Sequence, residues 1–175
     1  MERRMVVAQA DCPARMVPSG APSVIPEGSF VILNQALGGN YTVTLNGNML
    51  RVDGTDAGLL GLEAEEIFYE DFHDDKVHEE QIIQALRTIY DPEIPINLYD
   101  LGLIYAIKID EQNVRIEMTL TAPTCGMGPV MVADVQYRVG KVPNVKNVQV
   151  ELVFDPPWHK DRMSEEAQLE AGLFF

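Results

Sequence analysis

The sequence is short of cysteine, of basic residues and of long apolar runs. Its 175 residues include only two cysteines, Cys12 and Cys125. Two cysteines cannot build a disulfide framework or a four-cysteine metal site within one chain, and this usage is typical of a reducing, cytoplasmic compartment. The apolar run near the start covers residues 5–8, so we expect neither a signal peptide nor a membrane-spanning segment.

Positive charge is the second scarcity. The chain has 13 lysines and arginines against 27 aspartates and glutamates, which gives a formal net charge of -14. Phosphate backbones and anionic lipid surfaces are bound by clustered lysine and arginine side chains. We therefore expect neither nucleic acid nor a membrane as a partner.

The first third of the chain divides into an arm and a small module. Residues 1–23 mix arginine, proline, serine and glycine without a sustained period, which predicts an irregular arm in which Cys12 has no role. Residues 24–62 are predicted to form a small β-rich module, because Asn46-Gly47 separates two strand-like runs.

An acidic linker and a larger domain follow. In the linker, residues 63–76, His73 has no second histidine or cysteine at metal-ligand spacing. In residues 77–175 the apolar periodicity predicts helix, strand, strand, helix and strand in that order. A strand-helix-strand unit takes a right-handed crossover, so the last strand should run parallel to the second, in a mixed sheet with the helices on one face. The predicted fold class is therefore α+β.

Residues 120–129 connect the second strand of this domain to its second helix and contain Cys125. The first turn of a helix has unpaired N–H groups and the positive end of the helix dipole, which favour a thiolate over a thiol. A thiolate attacks electrophiles and binds metals. Gly126 and Gly128 allow a ligand to approach the backbone closely. The alternative is a buried, inert cysteine in a glycine-rich turn.

A loop that carries three carboxylates precedes the first strand of the domain. Because the first two strands are antiparallel, this loop and the Cys125 turn should meet at one edge of the sheet. The predicted supporting residues are the carboxylates of Asp91, Glu93 and Asp100 and the hydroxyls of Thr121 and Thr124. We expect Asp100 to face Cys125. The alternative is that these acidic residues only shape a helix end and a turn.

A cysteine hydrolase would also need a general base, most often a histidine, beside the thiolate. Only His159 lies beyond the Cys125 turn, in a segment that could fold back. Without a convincing base, the pattern favours a thiolate that binds or transfers a group over one that hydrolyses a bond. One thiolate is too few for a four-cysteine cluster, so a second subunit, a carboxylate or histidine, or an external thiol would have to supply the other ligands.

Four separated motifs stand in order in the second half of the chain. They are Asp91-Pro92-Glu93-Ile94-Pro95, Asp100-Leu101-Gly102-Leu103-Ile104-Tyr105, Thr119-Leu120-Thr121-Ala122-Pro123 with Cys125, and Trp158 with Met163-Ser164-Glu165. Together they resemble the iron-sulfur assembly domain of the PaaD and eukaryotic cytosolic iron-sulfur targeting family, from about residue 77 to residue 175. The simplest members have proline after the cysteine, whereas this chain has Gly126. That departure and the β module resemble two-part bacterial members of the family.

The resemblance implies a two-layer α-β-β-α-β fold and an auxiliary factor, not an enzyme, that delivers iron-sulfur clusters to apo-proteins. Cys125 would be the reactive thiol and the metal ligand, with Asp91, Glu93 and Asp100 as its acidic neighbours. A cluster or iron would be a transient cofactor, and the partners would be the assembly scaffold, apo-clients and a second copy in a homodimer. Two alternatives stay open. One is a metal-free adaptor that docks clients through the linker and module, and the other is a thiol enzyme acting on a small electrophile.

Overall fold

Two β-sheets and three α-helices make up the described part of the chain. The computed structural model describes residues 4–37, 40–91, 94, 96–121, 126 and 128–172. The strands are β1 (Arg4–Val7), β2 (Cys12–Met16), β3 (Pro22–Ile25), β4 (Phe30–Leu37), β5 (Asn40–Leu45), β6 (Asn48–Val52), β7 (Ile104–Asp110), β8 (Asn113–Met118) and β9 (Asn147–Leu152). The helices are α1 (Glu79–Leu86), α2 (Gly128–Val139) and α3 (Glu165–Ala171), with short 3-10 helices at Gly54–Leu60 and Lys160–Arg162.

Strands β1 to β6 form the amino-terminal module, a six-stranded antiparallel sheet in the order β1-β4-β5-β6-β2-β3. Side chains alternate between the faces of each strand, so Val31, Val43 and Leu50 are buried together on one face. The predicted Asn46-Gly47 hairpin is confirmed. It joins β5 to β6, and its two residues have φ values of 51° and 83°, as a tight hairpin turn requires.

The sheet of this module begins earlier than the sequence predicts. Residues 4–23 belong to it through β1, β2 and the start of β3, so the prediction of an irregular arm was wrong there. Strand β2 pairs with both β3 and β6, and Cys12 and Ala14 point into the module core. These strands have four or five residues each and carry proline and arginine on their other face, so too few apolar positions repeat for a period to show.

The acidic linker packs against the second domain along much of its length. Residues 63–76 contain no helix or strand, but side chains of α1 bind their backbone. The Gln81 Nε2 donates to the Glu70 carbonyl at 2.7 Å, and the Gln84 Nε2 donates to the Phe68 carbonyl at 2.6 Å. Asn144 donates in the same way to the Lys76 carbonyl at 3.0 Å. These bonds hold the linker in one place while its carboxylates stay in solvent.

Strands β7 to β9 form a second, three-stranded sheet in the order β7-β8-β9. The β8–β9 pair is parallel, which confirms the predicted right-handed crossover through α2. The buried residues of β8, Val114, Ile116 and Met118, share one hydrophobic core with residues of α1 and α2. The mixed helix and sheet class is confirmed. No helix among the described residues is long and apolar enough to cross a bilayer.

Candidate functional site

Two chain segments meet at the edge of the second sheet where β7 begins and β8 ends. Ile104 is paired with Met118, and the Thr119 N–H donates to the Leu103 carbonyl at 2.8 Å. The end of the acidic loop therefore lies beside the residues that lead into the Cys125 turn, as the antiparallel pairing predicts. Thr121 is half-buried at this point.

The other end of the Cys125 turn is the start of α2. Gly128 is its first residue and is buried, and a Cβ there would lie 3.0 Å from Leu120 Cδ1, so glycine lets the helix approach the end of β8. Gly126 is exposed, and no described atom lies within 4 Å of where its Cβ would be. Cys125 and Thr124 lie outside the described residues, so their predicted roles stay predictions.

Asp91 shapes the loop that follows α1. It is buried; its N–H donates to the Ile96 carbonyl at 3.2 Å, and its Oδ1 accepts from the Ile94 N–H at 2.9 Å. Both bonds tie the loop to itself, which matches the alternative in which this carboxylate forms a helix end and turn. Glu93 lies outside the described residues.

Asp100 lies in a turn held by residues that the sequence analysis did not single out. Its Oδ2 accepts from the Asn97 Nδ2 at 2.7 Å, and its N–H donates to the Asn97 Oδ1 at 2.8 Å. The Arg87 Nε lies 3.7 Å from the Asp100 Oδ1, and the Arg87 guanidinium stacks on the Tyr99 ring at 5.1 Å. The asparagine three residues before the aspartate was the available signal, because Asx side chains commonly close such turns.

The carboxyl-terminal segment packs on the back of this turn. The Trp158 Nε1 donates to the Leu101 carbonyl at 2.7 Å, and the Ser164 N–H donates to the Asp100 carbonyl at 2.8 Å. Gly102 has a φ of 77°, and a Cβ there would lie 2.3 Å from the Arg162 carbonyl oxygen. This bend also explains why β7 starts at Ile104, although the sequence predicts a strand from residue 101.

The histidines do not assemble a second reactive group with any described residue of this site. His159 is exposed, and its Nδ1 accepts from the Asp161 N–H at 3.2 Å, one turn of chain away. His73 is exposed beside Asp71. Within the described ranges, no group of three or more histidine, cysteine, aspartate or glutamate side chains is placed to hold a metal ion.

The sequence analysis missed two charged residues on α2, Asp134 and Arg138, both of which are buried. Asp134 accepts from the Arg15 and Arg51 guanidinium groups of the module, at 2.5 and 3.2 Å. The Arg138 Nη2 lies 2.9 Å from the Asp53 Oδ1 and 2.9 Å from the Glu65 Oε2. Their spacing of one helical turn was visible, but charges on one side of a helix usually indicate a solvated face.

Asp53 and Arg138 form a coupled buried pair. Burial alone would raise the pKa of Asp53, but the charge of Arg138 and its hydrogen bonds, together with those of Thr55, hold that pKa below its usual value. Burial likewise opposes the charge of Arg138, and Asp53 and Glu65 outweigh it and raise the pKa of the guanidinium. Both groups are therefore charged at neutral pH although solvent hardly reaches them.

The site as described can present and orient a sulfur ligand. Its carboxylates at Asp91 and Asp100 already accept hydrogen bonds that order their own loop. The loop lies next to a glycine-flanked turn at the start of a helix, where a thiolate is favoured. Binding or transfer at Cys125 fits this arrangement better than proton transfer by a neighbouring base.

Comparison with known families gives a match over the second domain. Residues 79–152 match a family described as iron-sulfur cluster assembly protein. The match starts at the first residue of α1, after the module and the linker.

Relatives with assigned names are similar over the same share of the chain. The chain is 52% identical over 96 residues to an Fe-S protein maturation auxiliary factor of Porphyromonas gingivalis, which covers 54% of this chain and 91% of the relative. It is 36% identical over 86 residues to the Fe-S protein maturation auxiliary factor SufT of Staphylococcus aureus, covering 49% of this chain and 98% of the relative.

A solved structure supports the same assignment of the fold. A conserved hypothetical protein of Thermotoga maritima superposes with a TM-score of 0.51 at 40% identity, covering 57% of this chain and 98% of the other. All three proteins are nearly fully covered and leave about half of this chain unmatched.

Proposed function

The chain belongs to the iron-sulfur cluster assembly protein family, and from this membership we propose that it is an auxiliary maturation factor that carries or targets clusters to apo-proteins through Cys125. The observation that carries the proposal is the 52% identity with nearly the whole of an Fe-S protein maturation auxiliary factor. The resemblance noted in the sequence motifs is thereby confirmed.

In this proposal the cluster is cargo and Cys125 is the chain's own soft ligand for it. Thiolates are the usual ligands of iron-sulfur clusters, and a thiolate is favoured just before the first turn of a helix. The exposed Gly126 beside it leaves room for a bulky inorganic group. One thiolate per chain makes the binding labile, because a scaffold, a client or a second copy of this chain must supply the remaining ligands.

The acidic residues take a supporting part. Asp91 and Asp100 hold the neighbouring loop in shape, and the carboxyl-terminal segment fixes the Asp100 turn from behind. We assign no catalytic step to them. The proposed partners are the assembly machinery and its apo-clients, with a homodimer as the simplest source of a second thiolate.

The experiment compares wild type with Cys125→Ser after anaerobic purification from iron-supplemented cells. Iron and acid-labile sulfide are measured together with the absorption spectrum, and client enzymes are assayed in cells that contain each variant. We expect cluster absorption in the wild type, its loss in Cys125→Ser, and a loss of client activity with the fold retained.

The matched control is Cys12→Ala, since Cys12 is fully buried in the module. It should keep both the cluster and the client activity. Full client activity in cells that contain Cys125→Ser would contradict the proposal. Client rescue by wild-type protein that holds no iron would instead favour the metal-free adaptor.

A further inference from the structure

Helix α2 is buried on two sides. Met131, Val135 and Val139 point into the core of the second domain. Asp134 and Arg138 are also buried, but they contact the amino-terminal module and the linker. The module therefore covers the side of α2 that the domain core leaves uncovered.

The module touches α2 at its first turn through Gly20. This glycine lies in the connection between β2 and β3 and has a φ of 77°. A Cβ at Gly20 would lie 2.6 Å from the Pro129 carbonyl oxygen and 3.1 Å from the Ala133 Cβ. The connection thus lies directly on the start of α2, and Pro129 is four residues after Cys125.

The middle of α2 is held by a buried carboxylate between two buried arginines. Arg15 and Arg51 come from neighbouring strands, β2 and β6, and both bind Asp134. Arg51 also donates to the Thr42 hydroxyl at 3.2 Å. Breaking a buried ion pair leaves an uncompensated charge, so α2 cannot rotate or slide along the sheet without a large penalty.

The last turn of α2 is bound as well. The Arg138 Nη2 donates to the Asn40 Oδ1 at 2.9 Å, in addition to its contact with Asp53. The Tyr137 hydroxyl donates to Asp56, and the Lys141 Nζ donates to the other oxygen of the same carboxylate at 2.9 Å. The module therefore fixes the helix along its whole length.

We propose that the amino-terminal module is a clamp that positions helix α2 and thereby sets the reactivity of Cys125, with Gly20 and Asp134 as positioning residues. The inference rests on the proposed function of Cys125 as the reactive thiol. The effect of a helix N-terminus on a charge falls off within the first turn, so a small displacement of the helix start changes how strongly the thiolate is favoured.

The test uses two glycine substitutions in the full chain that share the same backbone strain. Gly20 and Gly28 have φ values of 77° and 85°, but a Cβ at Gly28 would meet no described atom within 4 Å. Gly20→Ala pushes the module off the start of α2, whereas Gly28→Ala strains a turn without touching it. The comparison isolates the contact with Pro129.

The readout is the rate of alkylation by iodoacetamide as a function of pH, which gives the pKa of the reacting thiol. Cys12 does not interfere, because it is fully buried and burial raises its pKa to about 11. We expect Gly20→Ala to be alkylated about threefold to tenfold more slowly than wild type at neutral pH, equivalent to a pKa higher by about half a unit to one unit. Gly28→Ala should match the wild type.

Asp134→Asn is the second variant, in case Gly20→Ala fails to fold. It removes the charge between Arg15 and Arg51 and should shift the alkylation profile in the same direction, whereas Gln136→Ala, on an exposed position of α2, should not. An unchanged profile in folded Gly20→Ala or Asp134→Asn would overturn the clamp. That result is distinguishable from failure of the proposed function, which shows as client activity retained in Cys125→Ser.

Discussion

Arg138 is the residue on which the three parts of the chain converge. Its guanidinium, which is fully buried, binds Asn40 and Asp53 of the module, Glu65 of the linker, and the carbonyl and hydroxyl of Thr88 after α1. A buried cation is tolerated only where most of its donors are paired. These partners are between 50 and 98 residues away in sequence, so no local pattern could reveal them.

Replacing Arg138 with methionine should destabilise the protein by about 3–5 kcal/mol at pH 7, because Asp53 is then left charged and buried. In the wild type the pKa of Asp53 lies below its usual value, so the stability that this carboxylate contributes is present above about pH 4 and is lost as the pH falls through its folded-state pKa. In Arg138→Met burial raises that pKa, and protonation relieves the strain. The difference in unfolding free energy, measured with urea, should therefore shrink between pH 7 and pH 4.

The surface pair of Arg115 and Glu151 provides the control for that measurement. Both side chains are about half exposed, so Arg115→Met should change stability little at either pH. An equal loss in Arg138→Met at pH 7 and pH 4 would show that packing of the long side chain, and not its charge, is what the fold requires.

At the scale of elements, the sequence predicts best where local chemistry decides the structure. Asn46-Gly47 forces a hairpin, and the strand-helix-strand order through α2 forces the parallel β8–β9 pair; both are present. It predicts worst for β1 to β3, which are too short for their alternation to be visible. Of the candidate site, the meeting of the two loops follows from strand direction, whereas the Asn97 and Arg87 contacts of Asp100 depend on packing between distant residues.

The turn that carries Asp100 gives a prediction at this scale. Gly102→Ala should destabilise the protein by about 2 kcal/mol more than Gly47→Ala, since both glycines have a φ near 80° but only at Gly102 would a Cβ meet the backbone, that of Arg162. Urea unfolding measures the difference. Hydrogen exchange of the Ser164 amide, which donates to the Asp100 carbonyl, should be faster in Gly102→Ala. Equal losses in the two variants would mean that the carboxyl-terminal segment simply moves aside.

At the scale of the whole molecule, the module and the second domain have separate apolar cores joined by charged groups. One core lies inside the six-stranded sheet and the other between the three-stranded sheet and its helices. Between them lie Asp134 with its two arginines and Arg138 with its carboxylates. Buried ion pairs resist separation because each leaves unpaired charges behind, so the two units should behave as one.

Cooperativity of unfolding tests this directly. The single tryptophan, Trp158, lies in the second domain and packs on its core, so its fluorescence reports that domain, whereas far-ultraviolet circular dichroism reports both sheets. In urea the two signals should change together in the wild type, as a two-state transition requires. In Arg138→Met the transitions should separate, because the domains lose the interaction that couples them, while in Arg115→Met they should still coincide. Separate transitions in the wild type would mean that the junction does not couple the two cores, and that the module could leave α2 without unfolding.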